Sequence, residues 1–270
     1  VSLYLNLIMK IKFIVIVFIF ATLMWSFNEP ITKHINVQQY SVPSVEMILV
    51  EGGTFKLGCD DDGGDNDCFS WEQPSHQVVL SSFYISKYEV TQGFYKQIMN
   101  DKNPSFFKGD SLPVESLSYE EARDFIVALN NLTGKSYRFP TEAEWEFAAE
   151  GGKKTKGYIY SGSNVLKEVA WYHENSDHQT HPVGLLKPNE LGIYDMTGNV
   201  EEFCYDWYSS YKNRKETNPR GPFVGTDKVI RGGSWDIDND FGWNINYRNY
   251  ISLRDKTNDT GIRLVIGTND

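Results

Sequence analysis

The sequence predicts one α+β domain in which loops outweigh regular secondary structure. Three observations carry this. β-branched and aromatic residues gather in short runs over residues 45–57 and 77–85, interrupted by Gly and Pro. Three segments between residues 91 and 152 show helical spacing behind recognisable caps. From residue 157 to the end, Gly, Asn, Asp, Pro and Tyr recur with almost no helical periodicity.

The N-terminus reads as an address. Lys10 and Lys12 precede an apolar run over residues 13–21 that continues through Leu23, Met24 and Trp25, the charged and apolar regions of a secretory signal. Met9 is expected to be the initiator, with residues 1–8 an upstream extension. Trp25-Ser26-Phe27 is not a small-x-small cleavage triplet, so residues 1–27 are either a signal peptide or a retained anchor. No Cys follows the run closely, which argues against a lipoprotein. Residues 28–44 are expected to be a linker and residues 45–270 the domain. The expected location is extracytoplasmic: periplasmic, secreted or membrane-anchored.

Three cysteines in 270 residues suit an oxidising compartment. Cys59 and Cys68 bracket the loop DDDGGDND, flexible enough to bring them into disulfide range, and a bridge is expected there. The alternative is two free thiols in a mobile loop. The five aspartates of that loop lack the alternation of an EF-hand and read as a solvated turn.

The runs at 45–57 and 77–85 are expected strands. Thr91 then caps a helix presenting Phe94, Tyr95, Ile98 and Met99, ended by Asn103-Pro104. Ser118-x-x-Glu121 is a capping box for a helix with Ala122, Phe125, Ile126 and Leu129 on one face and Gly134 just past its end. Thr141-x-x-Glu144 opens a third helix through Trp145 and Ala148, stopped by Gly151-Gly152. The loop-rich remainder needs fixing, and three cysteines are too few for it, which leaves bound metal ions and buried aromatic anchors. No repeat or low-complexity linker divides residues 45–270.

A formal net charge of −10 excludes nucleic acid as a main partner and leaves a membrane only the N-terminal segment to hold. The chain has no Gly-x-Ser-x-Gly elbow, no His-Glu-x-x-His and no phosphate-binding Gly-Lys-Ser/Thr loop, so common hydrolase and nucleotide sites lack support. His173, His178 and His181, with Asp177 among them, have spacings that could hold zinc or copper.

Seven stretches occur in order: MILVEGGTFKLG (47–58), FYISKYEVTQ (83–92), YRFPTEAEWEFAAEGG (137–152), PNELGIYDMTGNVEEF (188–203), NPRGP (218–222), VIRGGSW (229–235) and GIRLV (261–265). Together they resemble the formylglycine-generating-enzyme, or sulfatase-modifying-factor, family over residues 46–266. The resemblance implies an α+β fold of C-type-lectin-like type, poor in regular structure, with structural calcium. Carried over residue by residue, the family's calcium site falls on the side chains of Asp195 and Glu202 and the carbonyls of Gly198 and Val200. Hard oxygen donors at a turn permitted by Gly198 suit that ion independently. A second family calcium position falls near Asn175 and Ser176, where the spacing departs from the enzyme. The resemblance also makes His181-Pro182-Val183-Gly184 a structural loop, against a transition-metal role for the histidines.

The family's enzyme oxidises a substrate cysteine with molecular oxygen, using two cysteines beyond RGGS that bind copper(I). Counted from Ser234 those positions fall on Ile237 and Gly242, and no Cys follows Cys204. Copper(I) needs thiolates, so copper is not expected here and no catalytic residue is assigned. In place of the family's aromatic after Gly-Asn-Val stands Glu201, which either repacks the loop or faces solvent or ligand. A binding role remains: residues 236–252 mix adaptable hydrogen bonders with rigid aromatics, as paratope loops do. The expected ligand surface is Asp236, Asp238, Asn239, Asp240, Trp243, Asn244, Tyr247 and Tyr250. The expected partner is a protein or glycan, in recognition or envelope assembly. Two alternatives stand: a formylglycine-generating oxidoreductase with an unrecognised site, and a variable ligand-display protein of a diversity-generating retroelement, whose variable region this segment resembles.

Overall fold

The computed structural model describes residues 44–60, 68–238 and 242–268. The leader, the linker up to residue 43, Asn239 and Asp240 lie outside the described residues.

Four short strands come first: β1 Met47–Val50, β2 Thr54–Leu57, β3 His76–Val79 and β4 Phe83–Ser86. Helices follow where the caps predict them. In α1, Gln92–Ile98, the Thr91 side chain accepts from the Phe94 amide. In α2, Tyr119–Thr133, Ser118 and Glu121 complete a reciprocal capping box, and Gly134 ends the helix with φ 70. In α3, Glu142–Ala149, Thr141 and Glu144 do the same. Arg138 also holds Glu144 bidentately, at 2.6 and 2.7 Å.

The second half contains more strand than its polar sequence suggests. β5 Glu201–Trp207, β6 Glu216–Thr217, β7 Asp227–Arg231, β8 Arg248–Ser252, β9 Thr260–Gly261 and β10 Val265–Gly267 complete three sheets. Their orders are β1-β4-β10, β2-β3-β6 and β8-β7-β5-β9. β10 pairs antiparallel with β4, and β9 pairs parallel with β5, so the C-terminal segment closes two sheets at once.

The four-stranded sheet separates two hydrophobic clusters. Phe203 and Ile230 belong to the cluster with Phe125, Leu129 and Tyr95 of α2 and α1, while Cys204 and Val229, one residue away on each strand, belong to that with Trp145, Ile85 and Val50. Successive residues of a strand point to opposite faces, so this sheet is buried on both. β5 buries Glu201, Glu202 and Asp206 as well. A strand covered on both faces shows no apolar–polar alternation, and its acids disguise it further.

Candidate functional site

The turn leading into β5 is tightly constrained. Asp195, Gly198 and Asn199 all take positive φ, at 56, 79 and 63. At Gly198 a Cβ would lie 2.4 Å from the Trp171 carbonyl oxygen, so only glycine fits. The Gly198 amide donates to Gly232 O, the Asn199 amide to Trp171 O, and the Trp235 amide to Asn199 O. The turn is thereby pinned to the start of the 236–252 segment.

Three carboxylates converge behind it. Asp195 accepts from the Gly184 amide at 2.7 Å. Glu202 is held by Arg263 Nε at 2.8 Å and by Trp145 Nε1 at 2.7 Å. Glu89, which sequence reasoning missed, accepts from the Asn199 side chain at 2.6 Å and the Val200 amide at 3.2 Å. Its only advance signal is a single acid in the FYISKYEVTQ stretch. All three are buried, as is Arg263. Burial raises the Glu89 carboxyl well above its ordinary value, and the charges of Asp195 and Glu202 add to it. Burial likewise lifts Asp195 to about 6. Three buried carboxylates facing one guanidinium form a hard-oxygen, electron-rich set that suits calcium.

The second position differs. The Asn175 side-chain oxygen accepts from the Tyr172 amide at 2.8 Å, and its amide donates to Ala170 O at 2.9 Å. Ser176 Oγ donates to Trp235 O at 3.0 Å and accepts from the His178 amide at 3.2 Å. Asn175 braces its own turn, and Ser176 ties that turn to Trp235.

Ile237 and Gly242 do come together: a Cβ placed on Gly233 would lie 3.2 Å from Ile237 Cδ1 and 2.6 Å from Gly242 O. An aliphatic side chain and a glycine offer no copper ligand. Cys59 and Cys68 are joined in a disulfide, with Cα atoms 5.8 Å apart. Cys204 is fully buried, and burial raises its thiol well above the usual range. The residues at these two positions do not fit a copper(I) centre.

The 236–252 segment divides. Asp236 and Asp238 are exposed, Asn244 and Tyr247 are half-buried, and Tyr250 is 54% exposed. Trp243 corrects the expectation of a surface anchor: it is buried, edge-on to Tyr172 at 5.2 Å, and supports the segment from beneath. Glu201 does not face solvent either. It is buried, accepts from the Asn249 side chain at 3.1 Å, and burial with the Asp259 charge lifts it to about 8.

Aromatics from elsewhere join the segment. Phe69 stacks on Trp71 at 4.4 Å and meets Tyr247 edge-on at 6.2 Å, and Tyr208 packs on Tyr250 at 4.7 Å. Arg248 links these pairs, donating to Trp71 O at 3.2 Å while its guanidinium covers the Tyr208 ring at 4.7 Å. Trp71 is 42% exposed. Because Phe69 and Trp71 come directly after Cys68, the disulfide holds their end of the patch. Sequence reasoning did not connect Phe69, Trp71 or Tyr208 with residues 236–252, since nothing local links them.

Known proteins share this architecture. The family model described as a sulfatase-modifying factor enzyme 1-like domain matches residues 33–268. The chain is 36% identical over 242 residues to a chaperone protein LppX of Paenibacillus barcinonensis, covering 71% of this chain and 79% of that protein. It is 28% identical over 258 residues to a formylglycine-generating enzyme of Thermomonospora curvata, covering 70% and 82%. It spans only 33% of a serine/threonine-protein kinase pkn1 of Chlamydia pneumoniae, at 31% identity over 215 residues and 70% of this chain. Among solved structures, Treponema denticola variable protein 1 matches with a TM-score of 0.76 and 31% identity, covering 84% of this chain and 98% of that one.

Proposed function

The chain belongs to the family of sulfatase-modifying factor enzyme 1-like domains, and we propose that it is an exported, non-oxidase member whose calcium-stabilised domain binds a protein or glycan. The observation that carries this reading is an aromatic face exposed at Trp71 and Tyr250. Tyr247 and Tyr250, from the segment beyond RGGSW, share it with Phe69, Trp71 and Tyr208, and the exposed Asp236 and Asp238 belong to the same segment. Rigid aromatic rings recognise sugar faces or protein side chains at low entropic cost.

Four further observations support the parts of the proposal. The aliphatic and glycine positions at Ile237 and Gly242 speak against thiol-bound copper and so against the oxidase alternative. The buried carboxylates Asp195, Glu202 and Glu89 speak for calcium, with the Gly198 and Val200 carbonyls as further donors. The disulfide accords with an extracytoplasmic location. A role in assembly is supported by the likeness to a protein described as a chaperone.

The likeness to Treponema denticola variable protein 1 favours a second reading, variable ligand display, on the same surface. In both readings the ligand meets residues 236–252.

The test pairs two assays on the calcium-loaded protein. Copper(I) binding and oxygen-dependent conversion of a Cys-x-Pro-x-Arg peptide to formylglycine are expected to be absent. Binding to immobilised glycans and envelope proteins is expected, and to be lost in Trp71→Ala and Tyr250→Ala. Turnover of the peptide overturns the proposal, as does ligand binding indifferent to both substitutions.

A further inference from the structure

Nδ1 of His173 is buried and, among the described residues, has no hydrogen-bond partner. Asp236 Oδ1 lies 4.0 Å from it, too far for a hydrogen bond. The His178 ring stands edge-on to that of His173, with centroids 4.7 Å apart. One ligand atom from each of the three residues lies within 4.8 Å of the other two. We infer that His173, His178 and Asp236 form a binding site for a divalent first-row transition ion of the zinc type.

The donor set selects the ion. Two imidazole nitrogens and one carboxylate oxygen are poor ligands for calcium, which takes oxygen, and for copper(I), which prefers sulfur. They match zinc and its neighbours, and three protein ligands leave a position open for water or an incoming group. An ion about 2.0–2.2 Å from each donor draws the donors to about 3.4 Å from one another. Side-chain rotation of His178 and Asp236 closes that gap, since both are exposed.

The scaffold brings the two contributing segments together before any ion arrives. Ser176 is fully buried, and its Oγ accepts from the His178 amide while donating to the carbonyl of Trp235, the residue before Asp236. The His173 amide reaches Ile237 O, on the other side of Asp236, at 3.4 Å. Asn175 braces the intervening turn. Spacing in the sequence points to a different set, His173, His178 and His181 with Asp177. His181 instead stacks on Trp171 at 3.8 Å, its Nε2 lying 2.8 Å from Ser176 O. The carboxylate comes from the distant segment that follows RGGSW.

The inference does not depend on the aromatic face, which Trp71→Ala probes separately. The test is zinc(II) titration calorimetry on the metal-free full chain in millimolar calcium, which occupies oxygen-only sites. Cobalt(II) replaces zinc for absorption spectra. One equivalent of zinc is expected, and cobalt is expected to give the intense visible bands of a low-coordinate site with nitrogen ligands. His178→Asn, which suits the left-handed backbone of His178 at φ 56, and Asp236→Asn, both at exposed positions, should keep the metal-free thermal midpoint and weaken zinc by more than about tenfold. Asp177→Asn should leave affinity unchanged. Absence of stoichiometric zinc in the unsubstituted protein, or undiminished affinity in His178→Asn and Asp236→Asn, overturns the inference.

Discussion

Arg231 and Glu146 form an ion pair closed to solvent, with Nη1 3.2 Å from Glu146 Oε2 and both side chains fully buried. One helical turn earlier on α3, Glu142 receives Arg248 Nε at 2.7 Å and Tyr211 Oη at 3.0 Å. Two glutamates on one face of α3 thus bind arginines from the adjacent strands β7 and β8. Burial acts to raise Glu142, but Arg248 and Arg231 outweigh it and hold the carboxyl below its ordinary value. Arg231→Met leaves Glu146 buried without its cation and is expected to cost about 3–5 kcal/mol in urea unfolding. Adding Glu146→Gln should recover part of that loss. A single-substitution loss below about 1 kcal/mol, within the range of exposed pairs, would show that the pair is solvated.

Acids without such partners set a pH dependence. Burial lifts Glu72 and Asp206 to about 7, and the Glu142 charge adds to the effect at Asp206. A carboxyl whose folded value is raised gives stability that is complete below its unfolded pKa and lost as pH rises through the folded one. Unfolding free energy is therefore expected to fall from about pH 4 to about pH 7 and to level off above, each group contributing up to about 1.4 kcal/mol per unit. Glu72→Gln should flatten the slope without moving the acid limb. A slope identical in Glu72→Gln and the unsubstituted protein would remove Glu72 from this role.

Much of the first half was legible in the sequence because its signals are local. Thr91, the Ser118–Glu121 box and the Thr141–Glu144 box sit within a few residues of the helices they start. β5 was not legible: Glu201 and Glu202 open it, and their partners Asn249, Arg263 and Trp145 lie 48, 61 and 57 residues away. Greater separations hid Glu89, 110 residues from Asn199, and Phe69, which meets Tyr247. Asp236 and Tyr250 were readable as surface by composition. Trp243 was not, since an aromatic in a polar segment reads the same whether it caps the surface or underlies it.

The Cys59–Cys68 bridge closes a loop with a sequence separation of 9 and ends beside Phe69. Its reduction frees that loop in the unfolded chain and is expected to lower stability by about 2–3 kcal/mol. Because Phe69 and Trp71 stack immediately after Cys68, the aromatic face should loosen as well. Trp71 fluorescence, isolated by comparison with Trp71→Phe, is expected to become more accessible to acrylamide on reduction below the unfolding temperature. Unchanged quenching would mean that Arg248, through its bond to Trp71 O, holds the stack unaided.

Asp195 offers the most direct trial of the calcium proposal. Its backbone is left-handed at φ 56, a conformation Asn adopts readily, so Asp195→Asn removes charge with little backbone penalty. An ion that binds only the folded chain stabilises it by about 2.7 kcal/mol when present at a hundred times its dissociation constant. The calcium chelator EGTA is accordingly expected to lower the thermal midpoint of the unsubstituted protein by several degrees. In Asp195→Asn that difference should shrink, because one negative donor is lost where Glu89 and Glu202 still crowd together. The metal-free midpoint should rise, as the same substitution relieves repulsion with Glu89. A chelator shift of equal size in both proteins would locate the calcium away from Asp195, and no shift in either would leave Arg263 as the counter-charge of the cluster among the described residues.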